Sequence, residues 1–525
     1  MKIKNLFVAM LAGAAMVSCS NEEFESGVNN GAIQKGQESF LAVNMTSVTR
    51  STPVFDAGSE AENAVSNVAF FFFDNSGDAY DVTGQGSNRL DKDYATKEEF
   101  TGDVNIEEVS NPILVINGSK QVPPQKIVAV LNCPVTETFI SLSNLQAKVG
   151  AYNTITVGEK AYFVMSNSVY KNETTGEEVV ATDIPAKCIT TDADAAKENP
   201  VTIYVERVAA KVAVSTNYAT GKTSFNTGVQ TSEDTEIYAE VTGWEVVNTK
   251  SEARLLKDID PAWGFTWNWN DENYFRSYWA VNTETAVNRS LYWNDLTNVD
   301  SRYYYENTDQ NLDDATTTQL EGNQSYLLVK AQFVDAAGNS LAGKIAEWYG
   351  AKYTLDELKT QFANAVATQI YVKTADNKAV SIKPEHITFY QASADAAEKR
   401  YLCYAMLDPE TTKNLEFVKG VDADGNFITF ADGEIEGILE TIRPAKIWEA
   451  GGYYYLPIAR NSTVNGLVRN HVYEMNINGI TGLGTPVYNP EMLITPEKPT
   501  EDESFISAEI KVLSWKVVMN DVVLQ

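Results

Sequence analysis

The apolar residues of this chain come in short runs of strand length divided by turn-forming residues, and that spacing excludes most helical architectures. Residues 68–82 read VAFFFFDNSGDAYDV, an apolar run, a D-N-S-G turn and a return segment. The signal is that of a hairpin. Residues 126–132 (KIVAVLN) and 162–166 (YFVMS) are continuous apolar runs, suited to strands covered on both faces. Residues 201–214 (VTIYVERVAAKVAV) alternate with a period of two. Such segments predict an all-β protein, with a β-sandwich over residues 51–216. A soft Thr/Ser/Asn/Gly stretch at 215–236 ends it, and a second domain, 217–525, opens its first strand at Ile237.

Residues 38–53 (ESFLAVNMTSVTRSTP) hold a further strand. Leu41, Val43 and Met45 alternate with Ala42 and Asn44, giving one apolar face. The stretch runs into Arg50, a lone basic residue among small ones, followed by Ser51. An exposed segment of this kind is open to a trypsin-like protease. Two readings follow: an ordinary first strand beside a linker, or a removable plug over residues 20–50 that includes a tether. Upstream, Lys2 and Lys4 precede an apolar stretch, 6–17, that is too short to cross a membrane as a helix. It ends Met16-Val17-Ser18-Cys19, which resembles a bacterial lipobox with Met in place of the usual Leu. Residues 1–19 are therefore an export signal, either of a lipoprotein anchored through Cys19 or of plain secretory type. The polar residues 20–37 read as a flexible tether.

The net charge of −30 opposes binding to nucleic acid or an anionic membrane surface. Of the other cysteines, Cys133 and Cys188 are open to pairing in an oxidising compartment or to burial as free thiols, like Cys403. Aromatic residues crowd 263–293, from Trp263, Trp267 and Trp269 to Tyr292 and Trp293. They fit either a sugar-stacking platform or a loop pinned by its rings against a sheet. One helix is expected over 354–370, from a Thr354/Glu357 capping box and a Leu355, Leu358, Phe362, Val366 stripe typical of core packing. The GKT at 221–223 has Thr216 where a phosphate-cradling loop needs glycine. The DADGN at 422–426 lacks the glycine and closing glutamate of a calcium loop, and reads as a hairpin turn. The two histidines, His386 and His471, stand far apart, and no nucleophile, zinc or dinucleotide motif is present. A glycosidase dyad assembled from distant carboxylates stays open on spacing alone. The reading is non-enzymatic, without metal or cofactor.

In the tail, Ala508, Ile510 and Val512 share one face, and Leu513, Trp515, Val517 and Met519 take the other phase. Val522 and Leu524 shift phase again. A side-chain period of two flips only at a bulge or bend, so the tail reads as two strand pieces.

In this order, several segments resemble the fimbrillins of Bacteroidales type V pili, and among these the main shaft subunit of the short (minor, Mfa-type) fimbriae. The carriers are the lipoprotein-like start, Arg50, AFFFFDNSG (69–77), VERVAAKV (205–212) and YYYENT (303–308). Further on come YYLPIARN (454–461), VRNHVYEMNINGITGLGTP (468–486) and VLSWKVVMNDVVLQ (512–525). Residues 335–450 carry little that matches. The resemblance implies two transthyretin-like β-sandwiches in tandem with a short helical insertion in the second. It further implies a palmitate-bearing lipoprotein precursor of the outer membrane, cut between Arg50 and Ser51 by an Arg-specific, trypsin-like protease. The cut removes the plug strand (Leu41, Val43, Met45). A donor strand at about 507–525 (Trp515, Val517, Met519, Val522, Leu524) from an identical subunit then fills the groove, or 507–519 closes its own C-terminal sandwich and leaves Val522 and Leu524 as the donors. The partners implied are a homopolymer, anchor and tip fimbrial proteins and a host or bacterial surface receptor, serving adhesion and biofilm formation. The competing function is a tip or accessory adhesin, or a surface glycan-binding lipoprotein.

Overall fold

The computed structural model describes residues 38–46, 55–56, 58–93, 113–117, 122–172, 175–259, 282, 286–287, 291–307, 325–391, 401–461, 464–491, 493–494 and 505–515. The fold is mostly β.

In the first domain one sheet runs through Ile189–Thr190, the leading strand Glu38–Thr46, Val201–Arg207, Met165–Asn167, Lys126–Leu131, Asn67–Phe73 and Arg89–Asp93. The four-phenylalanine run is continuous, not alternating, because this sheet is covered on both faces. Phe70 and Phe72 enter one core with Leu41, Val43, Ile127 and Ile203. Phe71 and Phe73 enter another with Val128, Val130 and Leu145. The D-N-S-G turn forms, with the Gly77 amide donating to Asp74 O at 3.0 Å and Gly77 at φ +84°. The return after the turn is short, with Phe73 bridging Ala79 antiparallel and the Tyr80 amide donating to Phe72 O at 3.0 Å, and the longer antiparallel partner of the strand is Arg89–Asp93.

The second domain stacks two five-stranded sheets. One is ordered Phe55–Asp56, Phe505–Trp515, His471–Thr481, Ala209–Thr216, Ser301–Tyr305. The other is ordered Phe225–Gln230, Glu236–Val247, Tyr326–Val334, Gly451–Pro457, Thr485–Val487. Val212, Met475 and Ile477 meet Ile237, Trp244 and Val329 between them.

Two expectations need correction. The stretch 201–216 is not one strand of the first domain. Glu206 to Ala210 are buried in succession, so the two-residue period breaks, and Ala209–Thr216 pairs wholly in the second domain, with Ser301–Tyr305 and His471–Thr481. The step from one sheet to the other within this stretch falls at Val208. The insertion is also more than a short helix. Between Tyr326–Val334 and Gly451–Pro457, which pair directly, lies a module with a core of its own built on Leu358, Phe362, Ile387, Phe389, Cys403 and Ile447. It contains a four-stranded sheet, the hairpin Ile387–Gln391/Cys403–Leu407 and the helices Leu355–Val366 and Glu434–Glu440. Its main helix starts as expected, with Thr354 accepting from the Glu357 amide at 3.2 Å and the Glu357 carboxylate accepting from the Thr354 amide.

Candidate functional site: the leading strand and the domain junction

The leading strand Glu38–Thr46 is held along its length by the ladder. Glu38 to Ala42 pair antiparallel with Ile113–Asn117, and Phe40 and Leu41 pair on the opposite edge with Thr190 and Ile189. Val43 to Thr46 then run parallel to Val201, Thr202, Ile203 and Tyr204. Leu41 and Val43 are both 0 % exposed, packed with Leu114, Ile116, Ile189 and Val201. Each such side chain contributes on the order of 1.5–3 kcal/mol relative to exposure. The backbone of Met45 lies in the parallel half. A sheet that lost this strand would expose an apolar trough walled by 113–117 on one side and by 189–190 on the other, with the unpaired edge of 201–204 beyond.

The C-terminal strand Phe505–Trp515 pairs antiparallel with His471–Thr481 from end to end, with one bulge between Ile477 and Gly479. Its other edge meets Phe55 and Asp56, parallel, at Ser514 and Trp515. Trp515, expected to be a donor residue, thus has its backbone in the chain's own sheet. Val517, Met519, Val522 and Leu524 lie outside the described residues, as do Cys19, Arg50 and Ser51.

Between the domains the matching motifs converge on one another, which sequence reading missed. Glu206, from VERVAAKV, accepts from Lys257 Nζ at 2.8 Å, with the lysine side chain fully buried. Glu306, from YYYENT, takes a bidentate pair from Arg469 of VRNH, whose Nε lies 2.8 Å from Oε2. Arg469 Nη2 also donates to Arg254 O at 2.8 Å. Burial pushes the Glu206 carboxyl up against the pull of Lys257 and Arg469. Arg207 Nε donates to Glu62 O at 3.0 Å and its Nη2 to Asn63 Oδ1. The Glu62 carboxylate accepts from Tyr303 Oη at 2.6 Å and Lys211 Nζ at 2.9 Å. The signal available in the sequence was unlike-charged residues inside otherwise apolar runs, a placement tolerated only when each charge finds a partner.

The remaining candidates scatter. Cys133 and Cys188 pack into different cores and do not pair with each other, and Cys403 lies in a third. Trp293 is buried under Lys330, whose Nζ lies 4.8 Å from the ring centre, while Tyr292 is exposed. Trp263, Trp267 and Trp269 fall outside the described residues. Asp422 to Asn426 form the expected hairpin turn. His386 stands on the insertion, edge-on to Phe417, and His471 is buried at the junction with Nδ1 2.8 Å from Arg469 O. Among the described residues no group of three or more His, Cys, Asp or Glu could hold a metal ion, and no helix is long and apolar enough to cross a membrane.

The class these observations define is a tandem β-sheet protein with an inserted α/β module. Residues 448–521 match the family described as "Major fimbrial subunit protein type IV, Fimbrillin, C-terminal", which agrees with the resemblance read from the sequence and fits a type V pilus fimbrillin. Among solved structures the chain is similar to a protein of Bacteroides eggerthii named for cell adhesion, at 11 % identity and TM-score 0.37, over 93 % of this chain and 98 % of that one. It is similar to a fimbrilin of Porphyromonas gingivalis at 12 % identity and TM-score 0.37, over 91 % and 99 %. The C-terminally truncated tip fimbrial protein Mfa3 of the same organism gives 11 % and 0.34, over 91 % and 100 %. Likenesses this distant assign no role. None of the curated proteins matches the chain in sequence.

Proposed function

We propose that the chain is a structural fimbrial subunit of the shaft, exported as a lipoprotein precursor through Cys19 and cut between Arg50 and Ser51. Subunits then polymerise by strand exchange into a cell-surface fimbrium that serves adhesion. The observation that carries the reading is the leading strand: two large apolar side chains wholly buried and both backbone edges engaged in its first half. An intramolecular strand holds its groove by effective concentration until the chain is cut. After cutting, the trough and unpaired edge are costly in water, and a strand from another copy relieves both. Head-to-tail insertion does not close, so the product is a filament. Because Phe505–Trp515 closes its own sheet, residues 516–525 with Val517, Met519, Val522 and Leu524 are the donor in this reading, and Trp515 stays at home.

The home pairing of the C-terminal strand also suits a tip subunit, which accepts a strand without giving one. The test is limited trypsin treatment followed by electrophoresis without boiling. Ladders that vanish in Arg50→Ala and in a chain lacking 516–525 support a shaft subunit. Fully cut protein that stays monomeric rejects it, and ladders unaffected by the deletion place the donor elsewhere.

A further inference from the structure

The inserted module opens on a hairpin, Ala346–Trp348 and Ala351–Tyr353, whose strands are joined by Tyr349 and Gly350 alone. Both turn residues have positive φ, +50° and +78°, as a tight hairpin turn of this type requires. Asparagine is favoured at the first of the two positions, and an aromatic residue there is strained. Burial does not offset the strain, since Tyr349 is 65 % exposed. The ring is nevertheless held in place. It meets Trp348 in a T-shaped contact with 4.7 Å between centroids, and the Arg443 guanidinium lies 5.0 Å from its centre. Trp348 Nε1 donates to Arg443 O at 2.7 Å, and the indole packs 5.0 Å from Phe362, which is wholly buried in the core of the module. Two segments 95 residues apart are thus fixed on one another from beneath. Arg443 is exposed, and among the described residues its guanidinium has no carboxylate partner, in a chain with 71 acidic residues. The hairpin's own carboxylate, Glu347, is taken up by Lys352. Stacking uses the flat face of a guanidinium and leaves its N–H edges free for a planar anion.

We propose that Tyr349 and Arg443 form a binding site for a carboxylate-bearing saccharide, the open part of the ring taking an apolar C–H face of the sugar and the guanidinium taking its carboxylate through paired hydrogen bonds. A pyranose suits an aromatic ring, and a uronate or sialic-acid unit adds the carboxylate. Side chains held rigid beforehand lose little freedom on binding. The net charge of −30 opposes anions at long range, so recognition here is by contact and not by steering. The site does not depend on strand exchange. Only the step from one weak site to firm attachment, by repetition along a filament, rests on the reading proposed above.

The test is binding of the full chain, as a monomer, to a galacturonic acid trimer and to sialyllactose, followed by saturation-transfer NMR and isothermal titration. At least one of the two should bind, and its methyl ester should bind about ten-fold more weakly or worse. Arg443→Gln and Tyr349→Asn should each weaken binding by about ten-fold or more, and Arg443→Lys should restore little, because an ammonium has no planar fork. Tyr349→Asn should leave the thermal midpoint unchanged or raise it, because asparagine suits the turn. A lowered midpoint would make Tyr349 a packing residue and overturn the site. Binding of neither acidic sugar, or binding indifferent to both variants, overturns it too. A glutamate trimer bound as well as the sugars would show recognition of charge alone and reject the saccharide. All of these are measured on single chains, so a failure to polymerise leaves them standing.

Discussion

Glu62 ties four segments of the chain together. Its carbonyl accepts from Arg207, and its carboxylate accepts from Ser59, Tyr303 and Lys211. Burial alone would raise its pKa, but the hydrogen bonds from Tyr303, Lys211 and the Ser59 backbone outweigh it and hold the carboxyl below its ordinary value. The sign follows from that direction. A carboxylate with a depressed folded-state pKa contributes stability that is present above its unfolded value, about 4.3, and lost as pH falls through the lower folded one. Glu62→Gln should therefore cost about 1.5–3 kcal/mol at pH 7, and the gap to wild type should shrink below pH ~4. Urea unfolding at a series of pH values measures both, and a pH-independent difference would show that the charge of Glu62 is not what holds the junction.

Elements differ in how well the sequence announces them. The helix Leu355–Val366 was legible because its cap and its stripe are local: Thr354, Glu357, Leu358, Phe362 and Val366 lie within four turns. The leading strand was legible as a strand from Leu41 and Val43, and the turn at Asp422 from its own residues. What stayed hidden depends on distant partners. Nothing near Ala209 says that the strand will leave the sheet of Val201–Arg207, because the cause is the register with Val472 and Tyr303, far along the chain. The core of the insertion is hidden for the same reason, since Ala346 meets Ile447 across its whole length. That closure suggests an experiment. Ala346 and Ile447 are paired and the Trp448 amide donates to Ile345 O at 3.0 Å, so the ends of the module already form a hairpin base. Replacing 347–446 by an Asn-Gly turn should leave Tyr326–Val334 on Gly451–Pro457 and cost the remaining protein no more than about 2 kcal/mol. Circular dichroism and urea unfolding followed through Trp244 report it, and loss of a cooperative transition would make the module part of the fold instead of an addition to it.

At the scale of the molecule, the leading strand and the C-terminal strand lie in different sheets, and the proposed strand exchange would join the vacancy left by the first to the tail beyond the second. The first domain carries an internal reporter of the groove. Cys188 is 3 % exposed and shares a core with Leu41 and Val43, and its neighbour Ile189 is the ladder partner of Leu41. Cys403 lies in the separate core of the insertion and Cys133 on the other face of the first sheet, so neither should respond to the leading strand. In the uncut chain Cys188 should resist alkylation. After cutting at Arg50 and loss of 38–50, the cover over Cys188 is gone, and labelling there should accelerate by about ten-fold or more. Filling of the groove by another copy should protect it again. A chain lacking 516–525 should therefore stay reactive at Cys188 after cutting, whereas the full chain should pass through a reactive interval that ends as ladders form. Mass spectrometry of the labelled peptides separates Cys188 from Cys133 and Cys403. Equal labelling of Cys188 before and after cutting would mean that the trough collapses or never opens, and a sheet that closes on itself has no vacancy to offer a neighbour.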